Sequence, residues 1–198
     1  LLCGSEHPID LIDCNGRFCS NICSVGIDAR IGTSVHNYSK IPVIGGATGY
    51  VVSLIVNVLK GINRHMRVRI KDFYVDEELA LVCVCNGRYY GGGFMPVAEA
   101  RMDDGVLNTL VVQKVTRRAF IRFVGPYSKG EYYKFPHLAQ CYTPKVVRIT
   151  SEKPDIVTCL DGECIQGSEV TIRLADKKLN FFGPAGCSCN ATARCGRI

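Results

Sequence analysis

The chain has 198 residues, of which 47% are hydrophobic and 21% are charged, as expected of a globular domain with a sizeable core. Its net charge of +6 suits an anionic ligand or an anionic membrane surface, although a solvated basic face explains the same charge. The basic residues are not interleaved with stacking aromatic residues, so the composition argues against a nucleic-acid-binding protein.

Twelve cysteines are a high count, but their spacing excludes the common zinc motifs. No C-x2-C pair occurs, and the four histidines are scattered along the chain. A secreted disulfide scaffold is not expected either, because such scaffolds are usually shorter and the chain shows no signal peptide at its start. We therefore expect a cytoplasmic protein whose cysteines, such as Cys83 and Cys85, serve as small buried hydrophobic residues.

The first prominent segment is an uncharged run of nineteen residues, 41–59. Its length approaches that of a transmembrane helix, but Pro42 and three glycines interrupt its first half. From residue 47 onwards the apolar residues follow i, i+3, i+4 spacing, which predicts an amphipathic helix near 47–62 that lies on the core. We therefore predict no transmembrane span.

Most of the remaining chain consists of short alternating segments that predict strands, such as RVRIKDFYVD and LVCVC, separated by turn signals. A second helix is predicted across RRAFIRFVGPY, residues 117–127, ending at Gly125-Pro126. No strand–helix–strand alternation occurs, which excludes a parallel nucleotide-binding sheet. The pattern predicts a single, mainly β domain, an antiparallel β-sandwich with one or two packed helices, and a flexible tail over 186–198.

The stretch LDGE, residues 160–163, has two interpretations. Asp161-Gly162 between apolar segments is typical of a β-hairpin turn. In an extended segment, however, Asp161 and Glu163 would project from the same face and could act together on one metal or one proton. From this stretch alone the turn is favoured.

Three further stretches precede LDGE in a fixed order. They are NICSVGIDA with Asp28, NGRYYGGGFMPVAEA with three consecutive glycines, and ARMDDGVLN with Asp104. The glycines allow a close backbone approach to a strand or a ligand. Asp104 and nearby carbonyl groups form an oxygen-rich turn that suits Mg²⁺ or Ca²⁺, although a capped turn explains the same residues.

Taken together and in this order, the four stretches resemble the C-terminal domain of the bacterial diacylglycerol kinase and lipid kinase family, which is related to the sphingosine and ceramide kinases. The resemblance runs from about Ile9 to Phe182. It implies an enzyme with an N-terminal α/β half that binds ATP through a GGDGT-type loop, and a C-terminal β-sandwich half that contributes to the cleft. The chain contains no GGDGT sequence, so it resembles the C-terminal half alone.

The resemblance also implies roles for particular residues. Asp161 matches the acid proposed to take the proton from the lipid hydroxyl, and Glu163 would assist with that proton or with the nucleotide's Mg²⁺. Asp104, together with the main-chain carbonyls of Arg101 and Val106, matches a structural Mg²⁺ site. Asn108 departs from the family, which usually has an acid after the leucine, and this puts any metal role of that position in doubt.

The implied activity is the transfer of the γ-phosphoryl group of ATP to a lipid alcohol such as diacylglycerol, at a membrane surface to which the protein binds peripherally. The implied partner is a nucleotide-binding half, without which we expect the chain to be inactive; a homodimer is also possible. The alternative is a non-catalytic β-sandwich that binds lipid or a membrane surface. A glycosidase is disfavoured, because acids two residues apart on a strand do not flank a scissile bond. For the kinase, we expect Asp161→Asn to reduce transfer severely and to leave the fold intact.

Overall fold

The computed structural model describes residues 4–31, 57–58, 60–71, 73–91 and 93–184. Within these ranges the chain forms eleven strands. The strands are Gly4–Cys14 (β1), Arg17–Cys19 (β2), Ile22–Gly26 (β3), Arg64–Ile70 (β4), Phe73–Cys85 (β5), Asn108–Gln113 (β6), Ala139–Tyr142 (β7), Val146–Thr150 (β8), Ile156–Leu160 (β9), Glu163–Gly167 (β10) and Glu169–Pro184 (β11). The helix α1 spans Arg117–Tyr127, a 3-10 turn spans Tyr132–Lys134, and residues 27–31 and 57–58 are also helical.

All the named strands pair antiparallel in one curled sheet. Nine follow the order β10-β9-β3-β5-β4-β8-β11-β1-β2, while β6 pairs with β5 and β7 pairs with β6. The sheet branches at β5, whose first half pairs with β4 and whose second half pairs with both β3 and β6. Branching and curling allow one sheet to enclose a core in the manner of a sandwich. The predicted antiparallel β-sandwich-like architecture is confirmed.

Strand β5 is buried on both faces over residues 79–85, which explains its unbroken apolar sequence LALVCVC. Val82 and Val84 contribute to one hydrophobic cluster, whereas Leu81 and Cys83 contribute to a second cluster beneath α1. Successive side chains of a strand point to opposite faces, so one apolar strand can serve two cores. β5 therefore separates the two hydrophobic clusters and contributes side chains to both.

Helix α1 begins at the predicted position, where the Thr116 side chain accepts a hydrogen bond from the Ala119 N–H (3.2 Å). Its buried residues, Phe120, Phe123 and Tyr127, lie on one face against the second cluster. The helix covers the predicted residues 117–127 and passes the expected stop at Gly125-Pro126 to end at Tyr127. A proline in the last turn removes only one helical hydrogen bond, and the buried Tyr127 side chain holds that turn against the sheet.

The first and last described strands form the longest ribbon of the sheet. β1 pairs with β11 from Gly4 opposite Pro184 to Cys14 opposite Ile172, with an irregularity between Asp10 and Ile12. Both strands are long because each continues beyond the sandwich, where Leu179 and its neighbours are exposed.

Two predictions lie largely outside the described residues. Of the helix predicted over 47–62, only residues 57–58, which are helical, and 60–62, which are not, are described; the tail over 186–198 is outside the described ranges. Among the helices of the described residues, none has the length and apolar character needed to cross a membrane.

Candidate functional site

The LDGE stretch forms the tip of the β9–β10 hairpin. Asp161 and Gly162 have φ angles of +47° and +102°, and Leu160 pairs directly with Glu163. Two central residues with positive φ are the requirement of a type I′ turn, so the hairpin interpretation is correct. The extended geometry that would have placed both acids on one face is not present. Glu163 is exposed at the start of β10.

The Asp161 carboxylate binds the connection between β2 and β3. Its Oδ2 accepts hydrogen bonds from the backbone N–H of Ser20 (2.8 Å), the Ser20 hydroxyl (3.2 Å) and the backbone N–H of Asn21 (3.1 Å). Its Oδ1 accepts the N–H of Ile22 (2.8 Å). A hairpin tip therefore uses a charged group to satisfy three consecutive backbone donors, which otherwise would depend on water.

The glycine-rich stretch meets the same connection from the other side. The N–H groups of Asn86 and Gly87 donate to the Asn21 carbonyl (both 2.9 Å), and the Asn86 amide donates to the Ser20 carbonyl (2.7 Å). The Asn21 amide in turn donates to the carbonyl of Tyr89 (2.7 Å). A Cβ at Gly87 would collide with the side-chain amide oxygen (Oδ1) of Asn21, so any other residue at this position requires the Asn21 side chain to move. Three of the four sequence stretches therefore converge on residues 20–22.

A pocket of about 240 Å³ opens beside this convergence. Among the described residues its wall contains two acidic side chains and no basic one. The lining residues are Asn21, Ile22, Ser24, Asp28, Tyr90, Gly91, Cys159, Asp161 and Gly162. Glu163 is outside this set, so the structure brings Asp161 to the pocket without its predicted partner.

Asp28 is the second acid of the pocket, and its motif alone predicts no role for it. The residue is 9% exposed, and its Oδ2 has no hydrogen-bond partner. Burial raises the pKa of Asp28 from 3.8 to about 6, against the opposing effect of hydrogen bonds from Tyr90 and Ser24. Asp28 also borders a narrow apolar crevice of about 30 Å³ beneath α1. One of its hydrogen-bond partners, Tyr90, lies far along the chain, which the local sequence pattern does not reveal.

The predicted metal-binding turn is near a different buried acid. Asp104 is exposed, and its Oδ1 accepts the N–H of Val106 (3.0 Å). The N–H of Gly105 donates to Oδ2 of the buried Asp10 (2.7 Å), whose Oδ1 contacts the Lys178 ammonium group (2.9 Å). Asp104 keeps a second carboxylate oxygen on the surface, and one carboxylate with two carbonyls is a donor set that Mg²⁺ accepts.

Within the described part of the chain, no three His, Cys, Asp or Glu side chains are arranged to hold a metal. The predicted site uses one carboxylate, Asp104, with the main-chain carbonyls of Arg101 and Val106, and so does not depend on such a cluster. Arg101 instead places its side chain near Asp103 (3.4 Å), and Asn108 is buried as the first residue of β6. The Mg²⁺ site therefore stays a prediction.

The cysteines of the described residues are free thiols. Cys83 and Cys85 are fully buried with their Sγ atoms 3.5 Å apart. Cys159, which lines the pocket, lies directly opposite the half-buried Cys164 in the β9–β10 hairpin. A hydrogen bond with the Cys164 thiol and, to a lesser extent, burial raise the pKa of Cys159.

Comparison with protein families gives one clear match. Residues 21–183 match the family described as the YegS C-terminal NAD kinase beta sandwich-like domain. A protein of Stenotrophomonas maltophilia named "probable lipid kinase YegS-like" is 25% identical over 187 residues, which cover 92% of this chain and 60% of the relative. A Pseudomonas aeruginosa protein of the same name is 25% identical over 186 residues, 94% of this chain and 60% of the relative.

Solved structures show the same fold. A diacylglycerol kinase from Bacillus anthracis strain Sterne superposes with a TM-score of 0.54 at 18% identity, covering 87% of this chain and 52% of that chain. A related crystal structure from the same organism gives a TM-score of 0.64 at 23% identity, covering 86% of this chain and 54% of that chain. The chain thus spans only a little over half the length of the relatives it matches.

Proposed function

The chain belongs to the family of YegS C-terminal NAD kinase beta sandwich-like domains, and from this premise we propose that it is the substrate-side half of an ATP-dependent lipid kinase. The proposed reaction transfers the γ-phosphoryl group of ATP to the hydroxyl of a lipid alcohol such as diacylglycerol. Relatives named as lipid kinases support this class of reaction. Because the chain spans 60% of those relatives, the activity of a whole enzyme is part of the proposal.

The observation that carries the proposal is the pocket beside Asp161. Its described wall has two carboxyl groups and no cation, so it suits an uncharged hydroxyl group much better than a phosphate. Phosphates require cations or clustered N–H donors, which a nucleotide-binding half would have to supply. The pocket is thus assigned to the acceptor alcohol and not to ATP.

Asp161 is the proposed proton acceptor. Three donors occupy Oδ2, whereas Oδ1 accepts only the Ile22 N–H and has a lone pair left for a hydroxyl group. As the alcohol oxygen forms its bond to the γ-phosphorus, the bond from that phosphorus to ADP breaks and the hydroxyl proton passes to Asp161. Glu163, exposed one residue beyond the turn, is proposed to assist from the rim.

Mg²⁺ is proposed at two places. With the nucleotide it would neutralise phosphate charge during transfer. At the turn, the Asp104 carboxylate and the carbonyls of Arg101 and Val106 would hold a structural ion. The proposed location is the cytoplasmic face of a membrane, to which the domain binds peripherally while a nucleotide-binding half of the same enzyme provides the ATP site.

The test uses the complete protein with radiolabelled ATP, Mg²⁺ and diacylglycerol in mixed micelles. We expect phosphorylated lipid from the complete protein and none from residues 1–198 alone. Asp161→Asn and Glu163→Gln are compared after correction for the folded fraction, with a loss of about 10²–10⁴-fold expected for the proton acceptor. Binding of the complete protein to lipid vesicles with no transfer to any lipid alcohol would contradict the kinase and favour a lipid-binding module.

A further inference from the structure

Helix α1 has an exposed basic side to which the proposed reaction gives no role. Residues 105–130 contain five basic residues and no acidic one, and three of the five, Arg117, Arg118 and Arg122, belong to α1. Arg118 and Arg122 are exposed, and neither has an ion-pair partner among the described residues. Ile121, which lies between them on the same side, is 68% exposed. These three residues, Arg118, Ile121 and Arg122, form the basic face of α1.

The arginines of the basic face do not serve the stability of the helix. The N-terminal turn of a helix carries a partial positive charge and favours acidic side chains, but the first turn of α1 has no acid and contains Arg118. Arg118 and Arg122 are also four residues apart, a spacing at which like charges repel one another across one turn. Both effects are small, but both act against folding. The two arginines therefore point to a partner outside the described part of the domain.

The opposite side of α1 fixes the direction of the basic face. Phe120, Phe123 and Tyr127 are buried against the second hydrophobic cluster, so the basic face points away from the core. The Tyr127 hydroxyl forms a hydrogen bond of 2.6 Å with the hydroxyl of Tyr90, which lines the pocket beside Asp161. A partner that binds the basic face is therefore held close to the pocket.

An anionic lipid bilayer suits both kinds of side chain on this face. Its phosphate groups attract the guanidinium groups, and the boundary between headgroups and acyl chains accepts an apolar side chain. The long arginine side chains reach the phosphates while Ile121 enters this boundary. A nucleic acid also attracts arginine, but it offers no apolar layer to Ile121. The combination therefore favours the bilayer.

We propose that the basic face of α1 binds the anionic surface of a lipid bilayer, with Arg118 and Arg122 at lipid phosphates and Ile121 inserted between headgroups. The inference rests on the proposed function, for which it names the surface that meets the membrane. Docking by α1 holds the pocket near the bilayer from which the lipid alcohol is taken. Because the attraction is electrostatic, binding weakens as the salt concentration rises.

The test measures the partition of the complete protein into sucrose-loaded vesicles by sedimentation. Vesicles of phosphatidylcholine with about 30 mol% phosphatidylglycerol are compared with vesicles of phosphatidylcholine alone, which should bind the protein more weakly. Each arginine at an anionic surface contributes about fivefold to the partition, so the double variant Arg118→Gln with Arg122→Gln should lose about 25-fold on anionic vesicles.

The matched control is the double variant Lys145→Gln with Arg148→Gln. It removes the same charge from two exposed residues that are in or beside β8 and not on α1. Charges outside the contact are screened, so the loss of partition should be about threefold or less. Equal losses in the two double variants would overturn the inference, because they would show that net charge alone determines binding.

Ile121→Ser distinguishes a bilayer from other anionic partners, since it keeps every charge. It should lower partition into the anionic vesicles by about fivefold, because the variant loses an apolar side chain that leaves water on binding. Unchanged vesicle binding in this variant would overturn the insertion of Ile121. Tighter binding to duplex DNA or RNA than to vesicles, lost in the arginine variant and kept in Ile121→Ser, would assign the face to a nucleic acid instead.

The stability of the arginine variant tests the second step of the inference. Its midpoint of urea denaturation should equal or exceed that of wild type, because the substitution removes a like-charge pair and a cation from the first turn of the helix. A lower midpoint would show that the two arginines stabilise the fold and would overturn the inference.

Kinase assays separate this inference from the proposed function. With a short-chain diacylglycerol dispersed in water, the arginine variant should match the wild-type rate. With diacylglycerol embedded in anionic vesicles, it should lose about tenfold or more. If no lipid is phosphorylated but vesicle binding depends on the basic face, the kinase proposal fails and the docking surface stands. If wild type and the variant phosphorylate vesicle diacylglycerol equally, the kinase stands and the docking surface fails.

Discussion

Asp161 and Ile22 hold each other by two opposed hydrogen bonds. The Asp161 N–H donates to the Ile22 carbonyl (3.1 Å), and the Ile22 N–H donates to Asp161 Oδ1 (2.8 Å). One residue at the tip of a hairpin thereby fixes the entrance of β3, the strand that leads directly to Asp28. Any role of Asp161 in catalysis is superimposed on this structural role.

Asp161→Asn should therefore destabilise the fold, in contrast to the expectation from sequence. Both carboxylate oxygens accept backbone N–H groups, whereas an amide has only one oxygen and would direct its NH₂ group at another donor. We expect the free energy of unfolding to fall by about 1–3 kcal/mol, measured by urea denaturation. The turn itself is not the cause, since Asn-Gly suits a type I′ turn as well as Asp-Gly does.

Asp155→Asn is the matched control for this change, because Asp155 is exposed and accepts only the Ser151 hydroxyl (2.9 Å) among the bonds described. Its effect should be within about 0.5 kcal/mol of the wild-type value. Equal stability of Asp161→Asn and wild type would show that water replaces the carboxylate at residues 20–22.

Gly87→Ala should disturb the same connection from the opposite side. The new methyl group would displace the Asn21 side chain and break its hydrogen bond to the Tyr89 carbonyl. We expect a loss of about 1–3 kcal/mol in the free energy of unfolding. Gly167→Ala is the control, since its methyl group would meet its nearest neighbours at 3.9 Å and should be tolerated. Equal stability of the two variants would mean that the Asn21 side chain can move aside freely.

The stability of the protein should depend on pH through Asp28. Burial raises the pKa of Asp28 from 3.8 to about 6, so its favourable contribution is complete below pH 3.8 and is lost as the pH rises through 6. Relative to wild type, Asp28→Asn should become more stable by about 2–3 kcal/mol between pH 4 and pH 7.5. Urea denaturation at several pH values gives this difference directly. A difference that does not change with pH would mean that Asp28 titrates near its ordinary pKa.

Cys159 and Cys164 should form a disulfide when the protein is treated with diamide. They face each other one pair beyond the pair that flanks the turn, a non-hydrogen-bonded position where the Cα atoms of paired strands are about 4.5 Å apart, within the range of a disulfide. The two thiols lose two hydrogen atoms, and the azo group of diamide gains them. Peptide mapping should find this loss in the 159–164 peptide and not at the fully buried Cys83 and Cys85. Reaction at Cys83 and Cys85 instead would contradict the described packing.

The sheet could be predicted from the sequence because its causes are local. Alternating segments and Asp-Gly turns specify strands and hairpins, and the β9–β10 hairpin is present where Asp161-Gly162 predicts it. The Gly125-Pro126 stop signal is local and does not end α1, because the burial of Tyr127, a tertiary effect, holds the last turn.

The site could be predicted only in part, since its contacts span the chain. Asp161 was identified through a family resemblance, but its partners lie 139 to 141 positions away and no periodicity reveals them. Asp28 likewise has a hydrogen-bond partner far along the chain, Tyr90, which no local pattern reveals. The two-residue spacing of Asp161 and Glu163 predicts that both side chains share one face only if the segment is extended. The positive φ angles of Asp161 and Gly162 form a turn instead, so this prediction does not apply.

The ribbon of β1 and β11 has a mechanical consequence. Gly4 and Pro184 are directly opposed at its tip, and the hydrogen bonds of an antiparallel pair run perpendicular to the strands. A force that separates these two residues therefore acts on one pair of residues at a time, and it reaches the Asp10–Lys178 ion pair (2.9 Å) only after the pairs from Gly4 to Ile9 have opened. Strands β3 and β9, which carry the pocket, are paired elsewhere in the sheet and would keep their shape while the ribbon opens.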